Sequence, residues 1–260
     1  MGVINITPNS FSGLGETLSP VKVSERIEEF GNIDVLDVGA ESTAPMNESI
    51  GFEEEWKRLE PFLSILKSLS LPISIDTYHP ETIGQLACFW KDEGIKSPLI
   101  WNDVSGKFDK YVEEFLELNK NFYYVFCHNL APKRELAGKH MRFISSFEGQ
   151  QYLEELASYF RPFKRERVIL DPTLGFSKTY EQNWLVLSKF GELQRKVDHD
   201  FWLLGFSRKS FLRKKLGLDK ITAENREQLD QYHQKILNEL IPDLRGTIWI
   251  RTHRPDLMNF

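Results

Sequence analysis

The chain of 260 residues has only two cysteines, Cys88 and Cys127, and no Cys-x-x-Cys pair. A disulfide framework and a cysteine-built zinc site are both excluded. No apolar run approaches the roughly 20 residues that a membrane-spanning helix needs. The opening Met-Gly-Val-Ile-Asn-Ile-Thr-Pro lacks the basic start and apolar stretch of a signal peptide. Neither sign of charge is in excess: 33 Lys and Arg against 38 Asp and Glu leave a net charge of −5, which argues against a nucleic-acid coat. Also missing are a Gly-x-x-x-x-Gly-Lys loop and a Gly-x-Gly-x-x-Gly turn, so nucleotide-cofactor enzymes rank low. A cytoplasmic protein is expected, without nucleic-acid or membrane partners, and the Asn-x-Ser/Thr triplets at Asn5 and Asn47 read as chance matches.

What is there is a core and a rhythm. Hydrophobic residues make up 41% of the chain and charged residues 27%, enough apolar material to exclude global disorder. Short, continuous apolar runs fall at residues 2–6, 33–38, 73–76, 99–104, 122–127, 168–170, 201–206 and 247–251. Such runs suit parallel strands buried on both faces. Amphipathic stretches at 21–30, 52–68, 80–89, 111–118, 152–160, 181–190 and 225–240 read as helices between them. Alternating strands and helices imply right-handed βαβ units. Eight strands in this length predict one (β/α)8 TIM-barrel domain over 1–260, with a short or missing last helix.

In such a barrel the site lies at the C-terminal strand ends. Every end here carries a polar residue: Asn5, Asp37 with Glu41, Asp76, Asn102-Asp103, His128, Asp171, Ser207-Arg208-Lys209, and Arg251 with His253. Asp76, Asn102 and Asp171 suit a flat heterocycle bearing N–H and amino groups. Asn5, Arg251 and His253, from neighbouring strands one and eight, read as an oxyanion or phosphate subsite. The basic cluster from Arg208 to Lys215 reads as a solvated helix face, and His128 as a packed strand-end histidine.

Seven segments in order carry a family resemblance: "MGVINITPNSFSGLG" (1–15), "DVGAESTAP" (37–45), "SIDT" (74–77), "NDVSG" (102–106), "LDPTLGFSKTYEQN" (170–183), "GFSRKSF" (205–211) and "IRTH" (250–253). Together they resemble the dihydropteroate synthases. The resemblance implies condensation of 6-hydroxymethyl-7,8-dihydropterin pyrophosphate with p-aminobenzoate, giving dihydropteroate and pyrophosphate in folate synthesis. It further implies that Asp76, Asn102, Asp171 and Lys209 bind the pterin, with Asp37 deeper and Phe176 packed nearby. Asn5, Arg251 and His253 would hold the pyrophosphate, Asn5 also serving as a ligand of Mg2+. Phe11, Thr43, Pro45 and Ser207 would approach the aminobenzoate. Asn5, Lys209, Arg251 and His253 are then the residues expected to act in catalysis.

The departures are specific. Asn9 and Gly13 stand where the family has Asp, Ala44 where it has Arg, and Met46 where it has Gly. The fifth-strand motif reads His128-Asn129-Leu130-Ala131 instead of His-Met-x-Gly. The family's helix-mediated homodimer is put in doubt by the charged Asn225-Arg226-Glu227-Gln228 and by the missing last helix. The alternative reading is a non-catalytic pterin-binding homologue. A pterin-dependent methyltransferase fits the "SRKSF" and "TPNSFS" segments less well.

Overall fold

The computed structural model describes residues 1–7, 19–41 and 49–258. Eight parallel strands run in sequence order: β1 (Gly2–Asn5), β2 (Leu36–Gly39), β3 (Ile73–Asp76), β4 (Leu99–Asp103), β5 (Tyr123–Cys127), β6 (Val168–Asp171), β7 (Phe201–Gly205) and β8 (Thr247–Arg251). The ring closes just past β8. Thr252 bridges Gly2 in parallel, accepts from the Val3 amide at 3.1 Å and donates to the Met1 carbonyl at 3.0 Å. This is the (β/α)8 barrel anticipated above.

The alternation along each strand separates two cores. Outward residues such as Leu99, Trp101, Tyr124 and Phe126 meet the helices, while Ile100, Val125, Ile169 and Leu203 fill the barrel interior. Strand side chains alternate faces, so the last strand residue on the inward side is Asn5, Gly39, Asp76, Asn102, Cys127, Asp171, Gly205 and Arg251 in turn. A mainly apolar plug thus lies below a largely polar mouth.

The helices are α1 (Pro20–Glu29), α2 (Phe52–Leu59), α3 (Leu63–Ser68), α4 (Pro80–Asp92), α5 (Lys110–Leu118), α6 (Gly149–Phe160), α7 (Tyr180–Ser188), α8 (Phe190–Val197), α9 (Ser210–Lys215) and α10 (Ala223–Leu240). Two expected helices are broken. The stretch 52–68 tightens into a 3-10 turn at Glu60–Phe62, where Pro61 has no amide hydrogen for the helical ladder. The stretch 181–190 ends at Ser188, and α8 follows after Lys189. A 3-10 segment at Arg134–Arg142, whose buried face is Arg134, Ala137 and His140, was not anticipated.

After β4 the chain turns at Gly106, whose φ is +67°. A Cβ there would lie 2.6 Å from the Asn129 carbonyl oxygen and 2.8 Å from the Tyr159 hydroxyl. Only glycine lets this loop press onto the end of β5. The basic cluster is spent on packing: Arg208 makes a bidentate pair with Asp230 of α10, and Lys214 sits over the Tyr180 ring. β8 is only partly covered, because among the described residues a single 3-10 turn, Pro255–Leu257, follows it. Among the described residues no helix is long and apolar enough to cross a membrane.

Candidate active site

Strand register sets the site in two steps. Asn5, Gly39, Asp76 and Asn102 pair across β1 to β4, and Asp37 with Ser74 lies two residues lower. Asp37 is fully buried. It accepts from the Ser74 hydroxyl at 2.6 Å, from the Asn102 amide at 3.1 Å and from Arg251 Nε at 2.6 Å. It lies two residues below the strand ends, beneath Asp76 and Asn102.

Asp76 shares Nη2 of the same Arg251 guanidinium with Asp37, accepting from it at Oδ2 at 2.6 Å. Its second oxygen, Oδ1, is buried without a hydrogen-bond partner, and so is Oδ1 of Asn102 beside it. Burial pushes the Asp76 carboxyl up to about 7, Arg251 draws it down, and the Asp37 charge pushes it up again. Two acceptor oxygens therefore lack a donor on adjacent strands. Such groups are costly unless a ligand or water supplies the missing hydrogen.

The far wall comes from β6 and β7. Asp171 accepts from the Thr173 amide at 2.7 Å, and burial raises its carboxyl to about 6. Lys209 has its ammonium 4.6 Å from the centre of the Phe176 ring. Burial and then the Arg251 charge lower the amine to about 8, against the pull of Asp171 and Asp76. Asp76, Asn102, Asp171, Phe176, Lys209 and Arg251 line one small cavity of about 40 Å³. A larger cleft of about 470 Å³ opens on the other side of Gly175 and Lys209, bordered by Lys178, Ser210 and Arg213.

The expected anion subsite is drawn together only in part. Arg251 reaches into the pocket and onto the two acids, not outward beside His253. The physical reason is charge: two buried carboxylates claim the nearest guanidinium. His253 lies in a bend beyond β8, with Nδ1 3.1 Å from the Ser207 hydroxyl. Burial, with Arg208 and Arg251 nearby, pushes its imidazole well down, so it is neutral. Ser207, anticipated near the aminobenzoate, faces His253 instead. Asn5 stands across Gly39 from Asp76: a Cβ on Gly39 would meet Asn5 Oδ1 at 3.4 Å and Asp76 Cβ at 3.5 Å. Phe11, Thr43 and Pro45 lie outside the described residues, as do Asn9, Gly13, Ala44 and Met46.

A family model described as pterin binding enzyme matches residues 1–238. The type-3 dihydropteroate synthase of Escherichia coli is 36% identical over 230 residues, covering 84% of this chain and 82% of that protein. The chain belongs to the dihydropteroate synthases, a family of pterin-binding transferases. The folic acid synthesis protein fol1 of Schizosaccharomyces pombe is 32% identical over 225 residues; the match takes in 81% of this chain but 29% of that longer protein. Among solved structures, the dihydropteroate synthase of Clostridium difficile, determined in the presence of pteroic acid, matches with a TM-score of 0.74. It is 26% identical, and the match covers 97% of this chain and 89% of that one.

Three residues of this dihydropteroate synthase had no role in the sequence reading. Lys178 is buried, with Nζ 2.8 Å from His128 Nδ1 and donating to the Phe176 carbonyl at 3.1 Å. Burial lowers its amine to about 7. Arg134 and His140 lie on the unanticipated 3-10 segment. Lys178 left one signal in the sequence, a lone cation inside the otherwise neutral "TLGFSKT" loop. His128 is buried as a packed histidine, but the satisfied histidine expected there is met at one nitrogen: Nδ1 faces Lys178 and Nε2 is buried without a hydrogen-bond partner.

Proposed function

We propose that the chain joins 6-hydroxymethyl-7,8-dihydropterin pyrophosphate to p-aminobenzoate, releasing pyrophosphate. One observation carries the reading: Asp76 Oδ1 and Asn102 Oδ1 are buried side by side without a donor, in a cavity walled by Lys209 and Phe176. A pterin edge offers N–H and amino donors to those two oxygens, and its carbonyl side an acceptor to Lys209. The pteroic acid present with the Clostridium difficile relative contains both a pterin and an aminobenzoate, which supports the same pair of substrates.

The ring's donors would engage Asp76 Oδ1, and Arg251, on the other oxygen of that carboxylate, would meet the pyrophosphate. His253 and Asn5 would border that group. The methylene C–O bond breaks toward a cation-like carbon that the electron-rich dihydropterin stabilises. The aminobenzoate nitrogen then bonds that carbon and loses a proton to solvent, so no strong protein base is needed. The residues orient the partners, hold charge and exclude water.

Magnesium fits this donor set as an ion carried by the substrate. Asn5 offers one neutral oxygen, and among the described residues no three His, Cys, Asp or Glu side chains gather to hold a metal. Magnesium commonly takes one or two protein ligands beside phosphate oxygens and water. Held by Asn5 and the pyrophosphate, it would supply neutralisation of the leaving charge.

The test is to mix the protein with dihydropterin pyrophosphate, p-aminobenzoate and magnesium and to measure dihydropteroate and pyrophosphate together. Equal amounts of both are expected. Pterin binding without either product would make this a binding homologue instead. A second expected result concerns pH. The ring needs Asp76 ionised and Lys209 protonated, so affinity for 6-hydroxymethylpterin should fall below about 7 and above about 8. Calorimetric titration across that range checks it, and a flat profile would remove one of the two groups from the site.

A further inference from the structure

We propose that His140 is a positioning residue that sets the plane of Phe176 and, through it, the place of the Lys209 ammonium at the pterin cavity. The inference rests on the functional reading above. His140 is fully buried, and its imidazole stacks on the Phe176 ring at 3.8 Å between centroids and 16° between planes. A ring at that distance fills one face of Phe176. The Lys209 ammonium, 4.6 Å from the same centroid, is left the opposite face, where the negative π surface attracts it. Imidazole, phenyl and ammonium form one stack whose last member lines the pterin cavity.

The backbone around Phe176 is fixed by the same histidine. The Ser177 amide donates to His140 Nδ1 at 3.4 Å, and the Ser177 hydroxyl donates to the His140 carbonyl at 3.2 Å. Nδ1 accepts, so it carries no proton, and the ring is neutral. That suits the stack, since a charged imidazolium would oppose Lys209 across the phenyl ring.

His140 in turn is held from the other side of the barrel mouth. It lies on the segment Arg134–Arg142. At the near end of that segment, Arg134 pairs with Asp103, and it donates to Asp109 and to the Ser105 hydroxyl, each at 3.0 Å. Its guanidinium also lies over the Trp101 ring. The segment is therefore a brace from the loop after β4 to the loop after β6. None of its described residues lines the cavity, and His140 packs on Phe176, which does.

The experiment compares the intact protein with His140→Ala and His140→Phe. 6-Hydroxymethylpterin affinity, KM and kcat with dihydropterin pyrophosphate, and melting temperature are measured for each. An aromatic stack of this kind shifts affinity by up to about tenfold. His140→Ala is expected to weaken pterin binding and raise KM by about that factor, with kcat within about threefold of the parent. His140→Phe, which retains a ring on that face, should return affinity to within about threefold. A histidine that only fills space would lower melting temperature in His140→Ala while affinity and KM stay at the parent's values. Two results overturn the proposal: unchanged affinity in His140→Ala, or equal impairment of both variants while the parent binds pterin. If the parent itself binds no pterin, the functional reading falls and the proposal with it.

Discussion

Asp76→Asn should weaken pterin binding by about a hundredfold or more, the scale for breaking a buried charged hydrogen bond, and yet stabilise the protein at pH 8. Asparagine keeps the shape. With its carbonyl oxygen turned to Arg251, its NH2 group faces the ring's own donors. The stability change has the opposite sign because the folded carboxyl sits at about 7, above its unfolded value of about 3.9. A raised acid binds more protons folded than unfolded, so its contribution is full below the unfolded value. It is lost as pH climbs through the folded one. Above about 7 the ionised carboxylate is a net burden that the amide removes. Calorimetry on 6-hydroxymethylpterin and melting at pH 5 and 8 separate the two effects. Affinity within a few-fold of the parent would displace the ring from Asp76, and a lower melting temperature at pH 8 would refute the charge balance.

Arg251→Ala attacks the same cluster from the cationic side. Asp37 and Asp76 would be left buried with their shared guanidinium gone. Stranding a buried charge in this way costs about 3–5 kcal/mol. The loss should be largest at pH 8 and smaller at pH 5, where Asp76 can take a proton. Adding Asp76→Asn should recover much of it, since the two side chains are in contact and their effects are not additive. Binding should discriminate as well: dihydropterin pyrophosphate loses far more than a pterin without the pyrophosphate. Equal losses would remove Arg251 from the anion site, and equal destabilisation at both pH values would remove the stranded-charge account.

The barrel was legible because its strands are mainly apolar runs, and all eight lie within a few residues of the expected places. Asp76, Asn102 and Asp171 were legible for a related reason: they are acids and an amide at the ends of such runs, and strand alternation turns them inward. Two kinds of feature were not. Where Pro61 interrupts a helix, the hydrophobic spacing of Trp56, Leu59, Leu63 and Leu66 continues across the break and conceals it. The Arg134–Arg142 segment buries Arg134, Ala137 and His140 at every third position, but two of these three are polar, so the buried face does not stand out as an apolar stripe. The rotation of Arg251 into the pocket also escaped the sequence. Strand position gives a side chain's face but not which of several partners it reaches.

The partly covered eighth strand acquires a second meaning from Arg251. β8 meets β1 through the short bridge around Thr252 and through the Met1 amine, which donates to the Ile250 carbonyl at 3.1 Å, and its outer face lacks the full cover that other strands have. From its last residue, Arg251 crosses the mouth to β2 and β3 and grips both. This side chain acts as a clasp across the barrel's seam, tying the least covered strand across the mouth to two buried acids on the second and third strands.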